Sequence, residues 1–204
     1  METKERIIEA ANELFYRHGV KRITMDDIAQ HLSVSKKTIY SFFNDKDEIV
    51  QTVCTMNLNQ NKCEFEEISI NAKDAVHEIT ECMKRVSTMF SVINPVMFYD
   101  LQKFYPKSWQ MFHKFRQEHM MNLFEKNLKH GIKDGLYRSD INIKILARLR
   151  MEEIVMAMNP EIFSPHKYNH RQVQLELLDH FLHGIVTLKG HKLIHKYQQT
   201  EIEN

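Results

Sequence analysis

Apolar residues recur along this chain at intervals of three and four, the period of helices with one buried face. Residues 4 to 18 place Ile7, Ala11, Leu14 and Phe15 on one side and stop at Gly19. Thr24 stands three residues before Asp27, a capping-box-like start, after which Ile28, Ala29 and Leu32 form a second buried face. Ser35 then caps a short third helix, with Ile39, Phe42 and Phe43 as its packing side. Asp45 and Glu48 open a fourth, expected to reach about Cys63. Further helices are expected over Ala75 to Ile93, Pro95 to Tyr105, Pro106 to His130 with Gly131 as its cap, Asn142 to Ala157, and Arg171 to Lys189. Five glycines and four prolines in 204 residues leave few helix breakers, so the expected fold is all-α, with about nine helices.

The third helix leaves Lys36, Lys37, Thr38 and Tyr40 available at its N-terminal end. A helix start carries unpaired amides and partial positive charge, which suits phosphate or guanine acceptors. Two short helices joined by a tight turn, the second exposing such residues, are how a helix-turn-helix enters a DNA major groove. On periodicity alone, a pair of core helices with a solvated Lys-Lys accounts for the same residues. Total charge does not decide between them: the net charge is +1, and residues 1 to 50 hold eight Lys and Arg against nine Asp and Glu. The case depends on local placement, since residues 33 to 46 carry Lys36, Lys37 and Lys46 against Asp45.

The order IIEAANELFYRHGVKRITMDDIAQHLSVSKKTIYSFFNDKDEIV resembles the N-terminal domain of the tetracycline-repressor (TetR) family of bacterial transcriptional regulators. The matching positions are Ala11, Leu14, Phe15, Gly19, Thr24, Ile28, Ala29, Val34, Ser35, Tyr40, Phe43 and Lys46. Ser33 departs from the pattern, because the family often has glycine in the turn, although serine also favours turns. The resemblance implies a three-helix helix-turn-helix domain over residues 1–47 and a helical effector-binding and dimerisation bundle over 48–204. The DNA-binding set it implies is Thr24, Ser35, Lys36, Lys37, Thr38, Tyr40 and Lys46. Thr24, Tyr40 and Lys46 would meet phosphates, while Lys36, Lys37 and Thr38 would face bases. Local roles compete with these: Thr24 is also a helix cap, the Tyr40 ring also packs, and Lys46 is equally suited to solvent. The segment HGIKDGLYRSDIN resembles the family's turn after its seventh helix. Implied partners are a palindromic double-stranded operator, a small-molecule effector and a second copy of the chain.

The middle helices concentrate aromatic and methionine residues, from which an apolar effector pocket of Phe98, Trp109, Phe112, Phe124 and Met151 is expected. Taken singly, each of these residues reads better as core. Arg148, Arg150, Glu152 and Glu153 lie within an apolar run, either as ion pairs on a wet face or with one orienting a ligand. On the last long helix, Leu177, Phe181 and Leu188 share helical spacing and Gly184 lets a second helix approach, so these four are the expected dimer interface. The alternative is that they face their own subunit.

Cys54, Cys63 and Cys82 show no C-x-x-C spacing and read as reduced thiols of a cytoplasmic protein. His166/His170 and His191/His195 have the spacing of a metal pair but no nearby Cys or carboxylate, so solvated histidines and no metal are expected. No run has the length of a membrane span, and no nucleophile, base or cofactor motif assembles. The expected activity is therefore that of a ligand-responsive regulator, a repressor and not an enzyme. The rival readings are an interaction adaptor or a small helical enzyme using the C-terminal pocket.

Overall fold

The computed structural model describes residues 2–199. Its elements are α1 (Thr3–His18), α2 (Met25–Leu32), α3 (Lys36–Tyr40), α4 (Lys46–Asn71), α5 (Ala75–Val92), α6 (Val96–Phe104) and α7 (Pro106–Lys114). A π-helical stretch (Phe115–Met120) follows, then α8 (Met121–Lys133), α9 (Ile143–Met156), α10 (His170–Ile185) and α11 (Leu188–Gln199). The fold is all-α, and among the described residues the one β contact is an isolated antiparallel bridge between Tyr137 and Val186. The chain divides into two compact units, one comprising the residues up to Asn61 with Val92–Phe115, the other Lys62–Ser91 with the residues from Arg116 onward. The boundary expected at residue 47 lies inside α4.

In the first unit, Ile7, Ala11 and Phe15 of α1 bury against Met25, Ile28 and Ala29 of α2, with Ile39, Phe43, Ile49 and Val53 completing the core. The chain leaves α1 through Gly19, whose amide donates to the Phe15 carbonyl at 3.0 Å. Gly19 has φ 81, and a Cβ there would stand 2.9 Å from Asp100 Oδ2, so only glycine suits both the backbone and the space. Asp100, buried on α6, accepts the Lys21 amide at 2.8 Å. Asn94 adds two bonds, from its amide to the Tyr16 carbonyl (2.7 Å) and from Nδ2 to the Arg17 carbonyl (3.2 Å). The loop between α1 and α2 is thus held by residues nearly eighty positions away.

The second unit has its own core, built from Val76, Ile79, Met83, Leu128, Tyr137, Ala147, Phe181, Leu182, Ile185 and Ile194. Gly131, expected as a helix cap, instead lies inside α8, and the left-handed glycine of this turn is Gly135, at φ 68. Gly131 is needed for close approach: a Cβ there would fall 2.1 Å from Cδ2 of the buried Tyr137. The single helix expected over 171–189 is broken after Ile185. Arg138 donates to the Ile185 carbonyl (2.8 Å), Thr187 donates its amide to the Leu136 carbonyl (2.9 Å), and its hydroxyl donates to the Gly135 carbonyl (2.8 Å). These bonds to the α8–α9 loop draw Val186 and Thr187 out of the helical path. Leu188 therefore opens a new helix.

Candidate nucleic-acid interface

Thr24 has extended backbone and caps α2, its hydroxyl oxygen accepting the Asp27 amide at 3.1 Å. The Asp27 carboxylate in turn accepts the Thr24 amide and hydroxyl, each at 2.7 Å. These bonds hold the Asp27 carboxyl below its usual range, with the side-chain bond from Thr24 the largest cause. The helix ends at Ser33, with φ 55 and ψ 40, the one non-glycine residue of positive φ among the described residues. Left-handed backbone costs a residue with a Cβ about 1–2 kcal/mol, which is why glycine suits this turn. Ser35 then caps α3, its Oγ accepting the Thr38 amide at 3.1 Å and lying 2.8 Å from the Thr38 hydroxyl.

Ile39 and Phe43 bury as expected, but Phe42 does not join them, being 39% exposed. The reason is length: α3 ends at Tyr40, and Phe42 sits in the turn beyond it, its amide donating to the Ile39 carbonyl at 3.0 Å. Tyr40 is 47% exposed and Lys37 is exposed, and among the described residues Lys37 makes no ion pair. Lys36 reaches Asp26 at 2.9 Å across an exposed surface, and this bond raises its ammonium above the usual range. Asp26 is ten residues away, so the pairing had no local signal in the sequence. Lys46, half-buried, donates to the carbonyls of Val20 (2.6 Å) and Lys21 (3.3 Å) and lies 5.4 Å from the Tyr105 ring centroid. Burial lowers its ammonium pKa. Lys46 therefore fastens the start of α4 to the loop after α1, leaving one of its three N–H groups uncommitted.

The second unit contains a cavity of about 50 Å³ lined by Phe65, Ile79, Met83, Phe124, Met151 and others. Of the five residues expected to form one pocket, Phe124 and Met151 line this cavity. Phe98, Trp109 and Phe112 lie in the first unit, packed on one another with ring centroids 5.5 Å (Phe98–Phe112) and 5.4 Å (Trp109–Phe112) apart. Two charged residues join the cavity wall, Glu78 and Arg150. Arg150, only 1% exposed, pairs with Glu153 at 3.2 Å in an i,i+3 register but away from solvent, while the pair on the wet face of α9 is Arg148 with Glu152 (3.0 Å), four residues apart. In the sequence Arg150 stood as one of four charges within an apolar run, with nothing to mark it as the buried one.

Among the residues expected at a dimer interface, Phe181 is buried in the chain's own core, its ring centroid 5.6 Å from that of Phe124. Leu177 is half-buried, Gly184 is open and Leu188 is 84% exposed. His191 faces His183, the two Nδ1 atoms 3.1 Å apart, and among the described residues no group of three or more ligands is arranged for a metal ion. Burial pushes the Cys54 thiol to about 11 and the Cys82 thiol to about 12, and Cys63 is exposed. No helix of the described residues is long and apolar enough to cross a membrane.

Residues 7–53 match the family described as bacterial regulatory proteins, tetR family. The HTH-type transcriptional regulator TtgR of Pseudomonas putida is 33% identical over 95 residues, which are 47% of this chain and 36% of that protein. The chain thus matches little more than a third of that relative's length. Across the whole fold, a TetR-family transcriptional regulator from Agrobacterium tumefaciens superposes with a TM-score of 0.75 at 14% identity, covering 90% of this chain and 97% of that one. A regulator from Saccharomonospora viridis, solved in complex with choline, gives a TM-score of 0.72 at 19% identity, with coverage of 90% and 97%. The helix-turn-helix, its caps and its turn all lie inside the stretch that matches the tetR-family description, and the chain as a whole shares the fold of these regulators.

Proposed function

We propose that this chain is a ligand-responsive DNA-binding transcriptional regulator, a homodimeric repressor that a small, largely apolar effector releases from a palindromic operator. The observation that carries this reading is the doubly capped α2–turn–α3 unit, with Lys37 and Tyr40 exposed on α3 and Lys36 held by one surface ion pair. Residues 1–47 serve as the DNA-binding domain. In a dimer, two such domains enter successive major grooves about 34 Å apart. Lys37 and Tyr40 make contact directly, Lys36 must exchange Asp26 for DNA, and Thr24 and Ser35 act first as caps that set the angle of each helix. Such a protein works in the cytoplasm, beside its operator.

Residues 48–204 bind the effector and the second copy. A cavity of about 50 Å³ is far below the roughly 300–1,000 Å³ of a drug-sized site, so an effector must displace part of the wall. That displacement is what supports control: a ligand that repacks a core biases a two-state element, with a coupling of about 1–3 kcal/mol. Ile145 and Leu149 on α9, Leu175 on α10 and Leu188 on α11 leave apolar side chains uncovered in the single chain. A Cβ at Gly184 would meet nothing within 4 Å, which suits the approach of a partner helix. The interface we infer therefore uses Leu177, Gly184 and Leu188 but not Phe181.

The test is a gel shift on DNA flanking the protein's own gene, run at two salt concentrations with scrambled competitor. Sequence-selective binding that weakens with salt is expected. A folded dimer with no selective shift would favour the adaptor reading instead.

A further inference from the structure

Glu78 stands in the first turn of α5, buried on the wall of the cavity in the second unit beside Phe65, Ile79 and Phe124. Its carboxylate accepts a hydrogen bond from Asn127 Nδ2 at 2.7 Å. That amide also donates to the Ala75 carbonyl at 2.9 Å, and its Oδ1 accepts the Tyr137 hydroxyl at 3.1 Å. Asn127 is therefore fixed from two further sides and holds Glu78 in place. Asn127 carries no charge, and among the described residues Glu78 makes no ion pair.

The other charged group on this wall is Arg150, and its charge is already answered. Its Nη1 lies 3.2 Å from Glu153 Oε2, and its Nη2 lies 3.2 Å from Met83 Sδ. Arg150 and Glu153 cancel, leaving the cavity with the single negative charge of Glu78. A buried carboxylate without a counter-ion is costly in apolar surroundings; a bound cation removes that cost, whereas a bound anion adds to it. Phe65 and Phe124 add rings, whose negative faces attract the same sign of ligand. The Cys82 thiol on the same wall, raised mainly by burial, is pushed further by the negative charges of Glu78 and Glu81.

We propose that this cavity takes a lipophilic ammonium ion, its charged head against the Glu78 carboxylate and its hydrocarbon part along Phe65, Ile79 and Phe124. The inference rests on reading the second unit as the effector-binding part, and narrows that reading to one ligand class. The existing volume of about 50 Å³ accommodates the head. A short tail enters as Met83, Met120 and Met151 repack, since unbranched thioethers adapt to irregular space at little cost.

The experiment titrates the full chain, labelled at its methionine methyl carbons, with hexylammonium, 1-hexanol and hexanoate, three probes of similar length that differ in charge. Expected are chemical-shift changes at Met83, Met120 and Met151, and hexylammonium binding about tenfold tighter than either of the others. Glu78→Gln, which still accepts the Asn127 bond, should abolish that preference and leave hexanol within about twofold. A ranking led by hexanol or hexanoate, a preference that survives in a folded Glu78→Gln chain, or no shift at the three methyls would overturn the proposal. The ranking in the unaltered chain decides the matter if the variant does not fold. Operator binding is measured separately, so loss of the regulator reading and loss of the ammonium reading give different results.

Discussion

Replacing Gly131 by alanine probes the tight packing at the heart of the second unit. In an exposed helix the change would stabilise by about 1 kcal/mol through helix propensity. Here the new methyl would stand 2.1 and 2.3 Å from Cδ2 and Cε2 of Tyr137, far inside any real contact. The ring is buried, and its hydroxyl shares one hydrogen between the Ala75 carbonyl (2.9 Å) and Asn127 Oδ1 (3.1 Å), so it cannot swing away without losing this bonding. Overpacking costs about 1–3 kcal/mol and a stranded buried polar group about as much again. After the propensity gain, the expected net loss is about 1–5 kcal/mol, read as a lower urea midpoint by far-ultraviolet circular dichroism. A second change isolates the cause: in a Tyr137→Leu background the clash is gone, so Gly131→Ala should cost far less there, giving a coupling of about 1–3 kcal/mol. Additive effects, or a midpoint equal to the parent's, would refute the reasoning.

Gly184→Ala is the counterpart: nothing lies within 4 Å of its Cβ position, so the monomer should gain about 0.5–1 kcal/mol, while sedimentation should show a weaker dimer if a partner helix approaches there. Ser33→Gly should raise stability by about 0.5–1 kcal/mol by relieving its left-handed backbone, with operator affinity kept; a loss of stability would contradict the assigned turn. Asp26→Asn should free the Lys36 charge for DNA and steepen the salt dependence of operator binding by about one unit per half-site, a change that must be absent if Lys36 never reaches DNA. Phe181→Glu should unfold the second unit, at a cost of about 3–5 kcal/mol or more, so a folded monomer from this variant would restore Phe181 to a subunit interface.

The parts of this fold that were legible in the sequence are those whose causes are local. Thr24 with Asp27, and Ser35 with Thr38, act within one helical turn, so their spacing alone announced the caps that position α2 and α3. The apolar stripe of α1 and its stop at Gly19 are local in the same sense. What stayed hidden depends on partners distant in sequence. The break after Ile185 is made by carbonyls of Gly135 and Leu136, about fifty residues earlier. Gly131 resembled a cap because nothing nearby reveals that a tyrosine ring covers it. Phe98, Trp109 and Phe112 matched Phe124 and Met151 in composition, yet composition carries no information about which unit a helix joins. Glu78 is, by sequence, an ordinary first-turn acid of α5, a position where acids are common, and only the fold places it beside a cavity.

The clamp on the α1–α2 loop separates inheritance from mechanics. The stretch that matches the family ends at residue 53, while the Lys21 amide finds its acceptor on Asp100 and Gly19 finds its nearest neighbours on Asp100 and Val96. A fragment cut after Asn61 would keep every residue of the recognisable motif and lose the carboxylate on which its entry loop is hung. The smallest piece that should fold with native geometry is therefore discontinuous, residues 2–61 together with 92–115. By the same bond, a displacement of α6 is passed to the loop that precedes α2, so under the proposed function an element outside the matching stretch bears on how the helix-turn-helix meets DNA.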